Sequence, residues 1–217
     1  MHSVAPKYRE IFQKSEDRFL QANPEAFYAM ESLAKITGLP VWQTLLVNSI
    51  VDFSSFCTSI VARMSNGIIV HARNLDFDFP SIMETLVYKA LIKKDGKIIG
   101  EAPAIAGYMG FYTGIKYDAF TVSYNVRMLR TNQSDILANI EREFTPGIVP
   151  TAQLIQKAFL ESPTWSEAVK LLSYHPVNTP CYVIVGGKLE NEGIIIVRDP
   201  LGLNRTIQLS ESNWYVA

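Results

Sequence analysis

The hydrophobic period of this chain changes abruptly near Phe56, and that change bounds what it can fold into. Before it, apolar residues recur at helical spacing: Tyr8, Ile11, Phe12 and Phe19, then Phe27, Met30, Leu33 and Ala34. Asn23-Pro24 divides the stretch into two helices, with Pro24 at a first-turn position, and Gly38-Leu39-Pro40 ends the second. A third helix carries Trp42, Leu45, Leu46, Ser49, Ile50 and Phe53 on one stripe. The stripe reads as core-facing, with a lipid-touching surface as the alternative. After Phe56 the period is two, and Asn66-Gly67 separates two alternating runs. That dipeptide is the strongest short-range hairpin signal, because both central residues must accept positive φ.

Asp95-Gly96 marks a second hairpin between 86–94 and 97–106, and 114–118 reads as the loop of a third, between 108–113 and 119–125. Helices return at 134–143, 151–161 and 165–173, the last opened by a capping box of Thr164 with Glu167. Apolar strands follow at 181–185 and 193–197, with weaker ones at 206–209 and 214–216. Strand meanders interleaved with helix pairs predict an α+β architecture whose sheets are covered by helices. At 217 residues the chain is expected to be one globular unit, with a unit in two pieces as the alternative. It stops in an apolar strand-like segment, so a continuation beyond Ala217 is expected. Met1 to Glu10 shows no apolar core of a signal peptide, which leaves a cytosolic protein or a lost beginning. No run approaches the length of a membrane span.

Twenty basic residues against 21 acidic ones give a net charge of −1, a poor footprint for nucleic acid. Two cysteines permit at most one internal disulfide and no four-thiolate zinc site, and three scattered histidines make a metal cluster improbable. No cofactor is expected.

The first hairpin gathers the chemistry. With a two-residue loop at Asn66-Gly67, Cys57 faces Asp76; longer loops bring Asn74 or Arg73 opposite it. In each register Cys57 lies beside Arg73, Asn74 and Asp76. The guanidinium favours the thiolate form by opposite-charge stabilisation. Arg73 and Asp76 are an odd number of residues apart, so both reach one site only if a bulge or the strand end re-aims one of them. The plain alternative is a buried strand cysteine beside an unrelated ion pair. His71 is placed opposite Ala62, roughly 16 Å along the strand from Cys57, too far to act as its base. A cut before Cys57 would supply another base, a free α-amine that titrates near neutrality. Cys181 sits in an apolar run and reads as a packing thiol.

The segments Cys57-Thr58-Ser59-Ile60-Val61-Ala62 and His71-Ala72-Arg73-Asn74-Leu75-Asp76-Phe77 closely resemble the nucleophile region of the acid ceramidases and the acid amidases that hydrolyse N-acylethanolamines. The likeness continues through Gly107-Tyr108-Met109-Gly110, Pro180 to Gly187, Arg198-Asp199 and Trp214-Tyr215. It implies an N-terminal-nucleophile hydrolase with an αββα sandwich, made as a precursor that cleaves itself between Phe56 and Cys57. Residues 1–56 would form a helical subunit and 57–217 the catalytic one, the two staying associated. The resemblance implies that Cys57 attacks the carbonyl of a lipid amide while Arg73 and Asp76 tune the amine and thiol. Asn125 would aid oxyanion stabilisation, with Trp42, Tyr108 and Tyr124 binding substrate, and the helix around Trp42 meeting a membrane surface. Relatives are lysosomal glycoproteins, and Asn132 and Asn204 open acceptor sequons.

The chain departs from that pattern in places. A glutamate expected after the Ser123-Tyr124-Asn125 segment is Val126 here, although Arg127 matches. The family runs on past Trp214-Tyr215, and that portion normally carries an oxyanion asparagine; loss of one such donor costs about 10²–10³ in kcat. A catalytically silent lipid-binding relative is therefore the second reading.

Overall fold

The computed structural model describes residues 6–53, 55–77, 80–127 and 133–217; the Asn132 sequon lies outside them, as do the side chains of Ile50 and Phe53. Three helices open the chain: α1 (Pro6–Ala22), α2 (Pro24–Thr37) and α3 (Val41–Phe53). Asn23 caps α2 by accepting from the Ala26 N–H, Pro24 sits in the first turn, and Gly38 ends the helix at φ 70°. Their apolar faces bury Phe12, Phe19, Met30, Trp42, Leu45 and Leu46 against Ile140 and Phe144 of the region that follows the first meander. Trp42 is only 7% exposed. The described part of its stripe, Trp42, Leu45, Leu46 and Ser49, is core.

Strands β1 (Ser55–Arg63) and β2 (Ile69–Phe77) form the first hairpin. Its loop differs from the two-residue expectation. Gly67 N–H donates to Met64 O and Met64 N–H to Ile68 O, both at 2.9 Å, so residues 65–67 make a three-residue loop, with Gly67 at φ 84°. The register moves by one: Cys57 faces Leu75, Ser59 faces Arg73 and Val61 faces His71. Helix α4 (Pro80–Leu86), unforeseen in the sequence, leads into β3 (Val87–Lys94) and β4 (Lys97–Ile105). That second hairpin has the expected two-residue loop, with Asp95 and Gly96 both at positive φ.

The third meander also departs from expectation. Residues 108–112 are loop, β5 is Thr113–Lys116 and β6 is Phe120–Val126. Gly114 belongs to the strand because the Phe159 ring packs on it: a Cβ there would stand 2.7 Å from Phe159 Cζ. The remaining elements are α5 (Gln133–Glu143), α6 (Thr151–Glu161), α7 (Trp165–Tyr174), β7 (Cys181–Gly186), β8 (Gly193–Asp199), β9 (Gly202–Gln208) and β10 (Tyr215–Val216). The capping box at Thr164 and Glu167 forms as read.

Two antiparallel sheets result, β10-β1-β2 and β3-β4-β5-β6-β7-β8-β9. Val183, Val185, Ile194 and Ile196 face α6 and α7, whereas Ile184, Ile195 and Val197 face Val61 and Val216 of the small sheet. Strands buried on both faces explain the unbroken apolar runs of β7 and β8. The α+β class holds, with sheet packed on sheet and a helical layer behind. The outer face of the small sheet is open: Ile60 and Val70 are 38% and 42% exposed.

Candidate active site

Strand alternation puts Cys57, Ser59 and Val61 of β1 on one face with Leu75, Arg73 and His71 of β2, turned toward the large sheet. Arg73 is diagonal to Cys57. Its Nη2 donates to Cys57 Sγ at 3.0 Å and to Tyr124 O at 3.1 Å. Among the described residues Arg73 Nε and Nη1 are buried donors with no partner. The guanidinium lies 5.6 Å above the Tyr112 ring. Tyr112 is itself stacked between Tyr108 and Tyr124, with ring centroids 5.0 and 4.9 Å away. Tyr124 is fully buried and Tyr108 half-buried, so in this arrangement the tyrosines support Arg73 from beneath.

Of the residues named from the sequence, Cys57, Arg73, Asn125, Tyr108 and Tyr124 come together. Asp76 does not. It faces Phe56, on the solvent side of the sheet, where its Oδ1 accepts from Asn74 Nδ2 at 2.9 Å. The regular pairing of β1 with β2 contains no bulge to re-aim it. Trp42 is also removed from the site; it packs among the helices under the Arg9 guanidinium.

Asn125 joins the site through a residue not singled out in the sequence. Ser59 Oγ donates to Asn125 Oδ1 at 2.9 Å. The sequence assigns no role to Ser59 or Ser123 and does not single out Thr121 or Tyr112, although the alternation of Thr121, Ser123 and Asn125 with apolar Val122 and Tyr124 is a readable polar face. His71 is opposite Val61, four residues along β1 from Cys57 rather than five, and still too distant to be its base. It hydrogen-bonds to Thr121 and Ser123 instead. Burial, and then the nearby Arg73 charge, lower its pKa to about 4, so the imidazole is neutral at pH 7.

The site opens on a cleft of about 980 Å³ between β2 and strands β3–β6. His71, Arg73 and Leu75 line one wall, with Met83, Val87 and Ile115 among the apolar groups facing them. The floor is braced by α3, which precedes Cys57 in the chain. Asn48 Nδ2 donates to Gly107 O at 2.9 Å and its Oδ1 accepts from Met109 N–H at 2.8 Å, gripping the loop that carries Tyr108. A buried carboxylate joins the same regions: Glu143 accepts from Ser49 Oγ at 2.5 Å and from Asn178 Nδ2 at 2.7 Å.

Among the described residues neither Cys57 nor Cys181 is in a disulfide, and Cys181 is fully buried. Arg127 pairs with Asp199, which also accepts from Asn204 Nδ2 at 2.9 Å. Those contacts, the Asn204 one first but opposed by a small burial effect, hold the Asp199 carboxyl below its ordinary value. No group of metal-binding side chains occurs among the described residues. No helix among them is long and apolar enough to cross a membrane.

No protein-family model matches the chain. It is 35% identical over 191 residues to the N-acylethanolamine-hydrolyzing acid amidase of Rattus norvegicus, covering 88% of this chain and 51% of that protein. It is 27% identical over 203 residues to the acid ceramidase of Homo sapiens, covering 86% and 51%. Among solved structures, a Caenorhabditis elegans N-acylethanolamine-hydrolyzing acid amidase ortholog superposes with a TM-score of 0.68 at 28% identity, over 74% of this chain and 68% of that one. The chain spans about half the length of the curated relatives it matches. The resemblance read from its residues therefore holds over most of the chain, and the fold is of the N-terminal-nucleophile hydrolase type.

Proposed function

From this likeness to acid ceramidases and N-acylethanolamine amidases, we propose that the chain is a hydrolase of fatty-acyl amides that cleaves itself before Cys57. The observation that carries the reading is the 3.0 Å contact between Arg73 Nη2 and Cys57 Sγ. The contact holds a charged donor against a partly exposed sulfur, where an attacking atom can be positioned. β1 runs unbroken through Cys57, so the geometry described is that of the uncut chain. Hydrolysis of the Phe56–Cys57 bond gives residue 57 a free α-amine. Asp76, the cross-strand partner of Phe56, then lies one position from the new terminus.

In the cleaved form the α-amine takes the thiol proton as Sγ attacks the amide carbonyl. Collapse of the tetrahedral adduct expels the amine, which receives that proton, and leaves an acyl-thioester on Cys57. Water hydrolyses the thioester, releasing the fatty acid and restoring the thiol. Asn125 Nδ2 donates to the developing oxyanion. The apolar cleft beside Leu75, Met83 and Val87 takes the acyl chain. Residues 1–56 stay bound to 57–217 after the cut through the Asn48 and Glu143 contacts. The setting is the lysosome, with Asn204, exposed on β9, open to glycosylation.

Val126 favours a second reading, a silent lipid-binding relative, since valine cannot ionise at a position where the pattern expects glutamate. Intact mass after incubation at mildly acidic pH, together with turnover of a fluorogenic fatty-acyl amide, separates the two. Fragments beginning at Cys57 and substrate turnover are expected. Absence of both sinks the enzyme reading, and a Cys57→Ala variant that still cleaves itself contradicts the mechanism.

A further inference from the structure

One strip of polar side chains crosses the otherwise apolar interface between the two sheets. It runs from Thr121 through His71, Ser123 and Ser59 to Asn125. Ser59 is 3% exposed and Ser123 is fully buried, so each needs its partner within the protein. We propose that His71 is a positioning residue which, through Ser123 and Ser59, sets the end of the Asn125 side-chain amide left free for the oxyanion. This rests on the reading of Asn125 as an oxyanion donor.

The hydroxyls carry one proton each, and that fixes the direction of the strip. Ser59 Oγ donates to Asn125 Oδ1 at 2.9 Å. Its proton is then used, so it accepts from Ser123 Oγ, also at 2.9 Å. Ser123 has no second proton, and its 2.8 Å contact with His71 Nε2 is made by the imidazole N–H. In the neutral ring Nδ1 is then bare, and it accepts from Thr121 Oγ1 at 2.9 Å. Every bond points toward Asn125.

The reverse order needs the other tautomer. With Nε2 bare, Ser123 donates to it and Ser59 donates to Ser123, so Asn125 must turn its Nδ2 toward Ser59. Thr121 then accepts from Nδ1 and donates to Gly186 O, a contact stretched to 3.3 Å. With Asn125 Oδ1 facing Ser59, the carbonyl end of Asn125 is occupied and its Nδ2 protons are not spent on Ser59. In the reverse order a donor is spent on Ser59. The imidazole tautomer and the orientation of the amide are thus one coupled variable, joined through the two buried hydroxyls of Ser123 and Ser59.

The test is made on the full-length chain labelled with ¹⁵N. Long-range imidazole spectra at pH 7 are expected to show His71 protonated on Nε2 and bare on Nδ1; the opposite tautomer overturns the proposal. The Asn125 side-chain amide signals, identified by their loss in Asn125→Ala, should be unchanged in His71→Gln, which keeps one donor and one acceptor. They should move or double in His71→Phe and in Ser59→Ala, the latter a small change that keeps the measurement possible if the Phe variant does not fold. In turnover, His71→Phe and Ser59→Ala are expected to lower kcat roughly ten- to a hundredfold with KM within about twofold. His71→Gln should recover most of the loss, and the rate of Cys57 alkylation should stay within about twofold throughout. Identical amide signals in all variants, or equal kcat for Gln and Phe, overturn the proposal. A chain that turns over no fatty-acyl amide defeats the functional reading, while the two spectra still decide the coupling.

Discussion

Arg73 reaches back sixteen residues to place Nη2 3.0 Å from Cys57 Sγ, and the same nitrogen holds Tyr124 O at 3.1 Å. Hydrogen bonds to charged groups contribute about 1.5–3 kcal/mol. Arg73→Met is therefore expected to slow alkylation of Cys57 by iodoacetamide at pH 6.5 about tenfold or more, read by mass spectrometry. Arg73→Lys should recover only part of the rate, because a single ammonium does not reproduce a planar fork. An unchanged rate in Arg73→Met would remove the basis for treating the pair as a site.

Ser49 and Glu143 join the helical front of the chain to its sheet region through a buried bond of 2.5 Å. Ser49→Ala removes one hydrogen-bond donor from the Glu143 carboxylate, which is 6% exposed. A loss of about 1–3 kcal/mol is expected from the urea midpoint. In the self-cleaved form the same change should speed separation of the two pieces on dilution, followed by size-exclusion chromatography.

Gly110 has no room for a side chain. Its φ is 103°, and a Cβ would stand 2.5 Å from Ala152 C and 2.6 Å from Ala152 O. Gly110→Ala combines strain with a clash against helical backbone and should cost about 2–4 kcal/mol. Because residues 108 and 112 flank the strained turn, loss of stability should be accompanied by altered near-ultraviolet circular dichroism from the tyrosine stack.

His71 predicts the pH dependence of stability. Its folded pKa of about 4 lies below the ordinary value of 6.5. Between those limits the unfolded chain binds a proton that the folded chain refuses. Stability from this group is complete above pH 6.5 and falls as the pH drops toward 4, by ~3 kcal/mol in all. Thermal unfolding of the wild type should therefore steepen on acidification across this window. His71→Gln should give a flatter profile there, and parallel profiles would contradict the assignment.

How far the sequence discloses the site is clearest in the first hairpin. Asn66-Gly67 located the turn, and the helical front, the second hairpin and helices α6 and α7 were equally plain, because period and caps are local signals. The loop length was not local information. Three residues instead of two shift the register by one, and a one-residue slip changes which side chains share a face. Hence the two-residue loop sets Asp76 opposite Cys57 where Leu75 holds that place, and gives Ser59 no role although it lies two residues from Cys57. Arg73 survived the slip because it is diagonal to Cys57 in the actual register. The strip from His71 to Asn125 joins segments fifty or more residues apart, such as Ser123 and Ser59, and no spacing rule reports such meetings. Trp42 misled for the opposite reason: an aromatic on an amphipathic helix looks the same whether it greets a ligand or fills a core.

Asn48 gives the proposed maturation an unexpected dependence. Cys57 and the Arg73 guanidinium belong to one side of the Phe56–Cys57 bond, but the clamp on the loop beneath them belongs to the other. Severing the chain would convert an internal prop into a borrowed one. The larger piece would then keep its shape only while the smaller remains in place, so dilution or competition for the helical fragment becomes a way to turn the site off without touching any reacting atom.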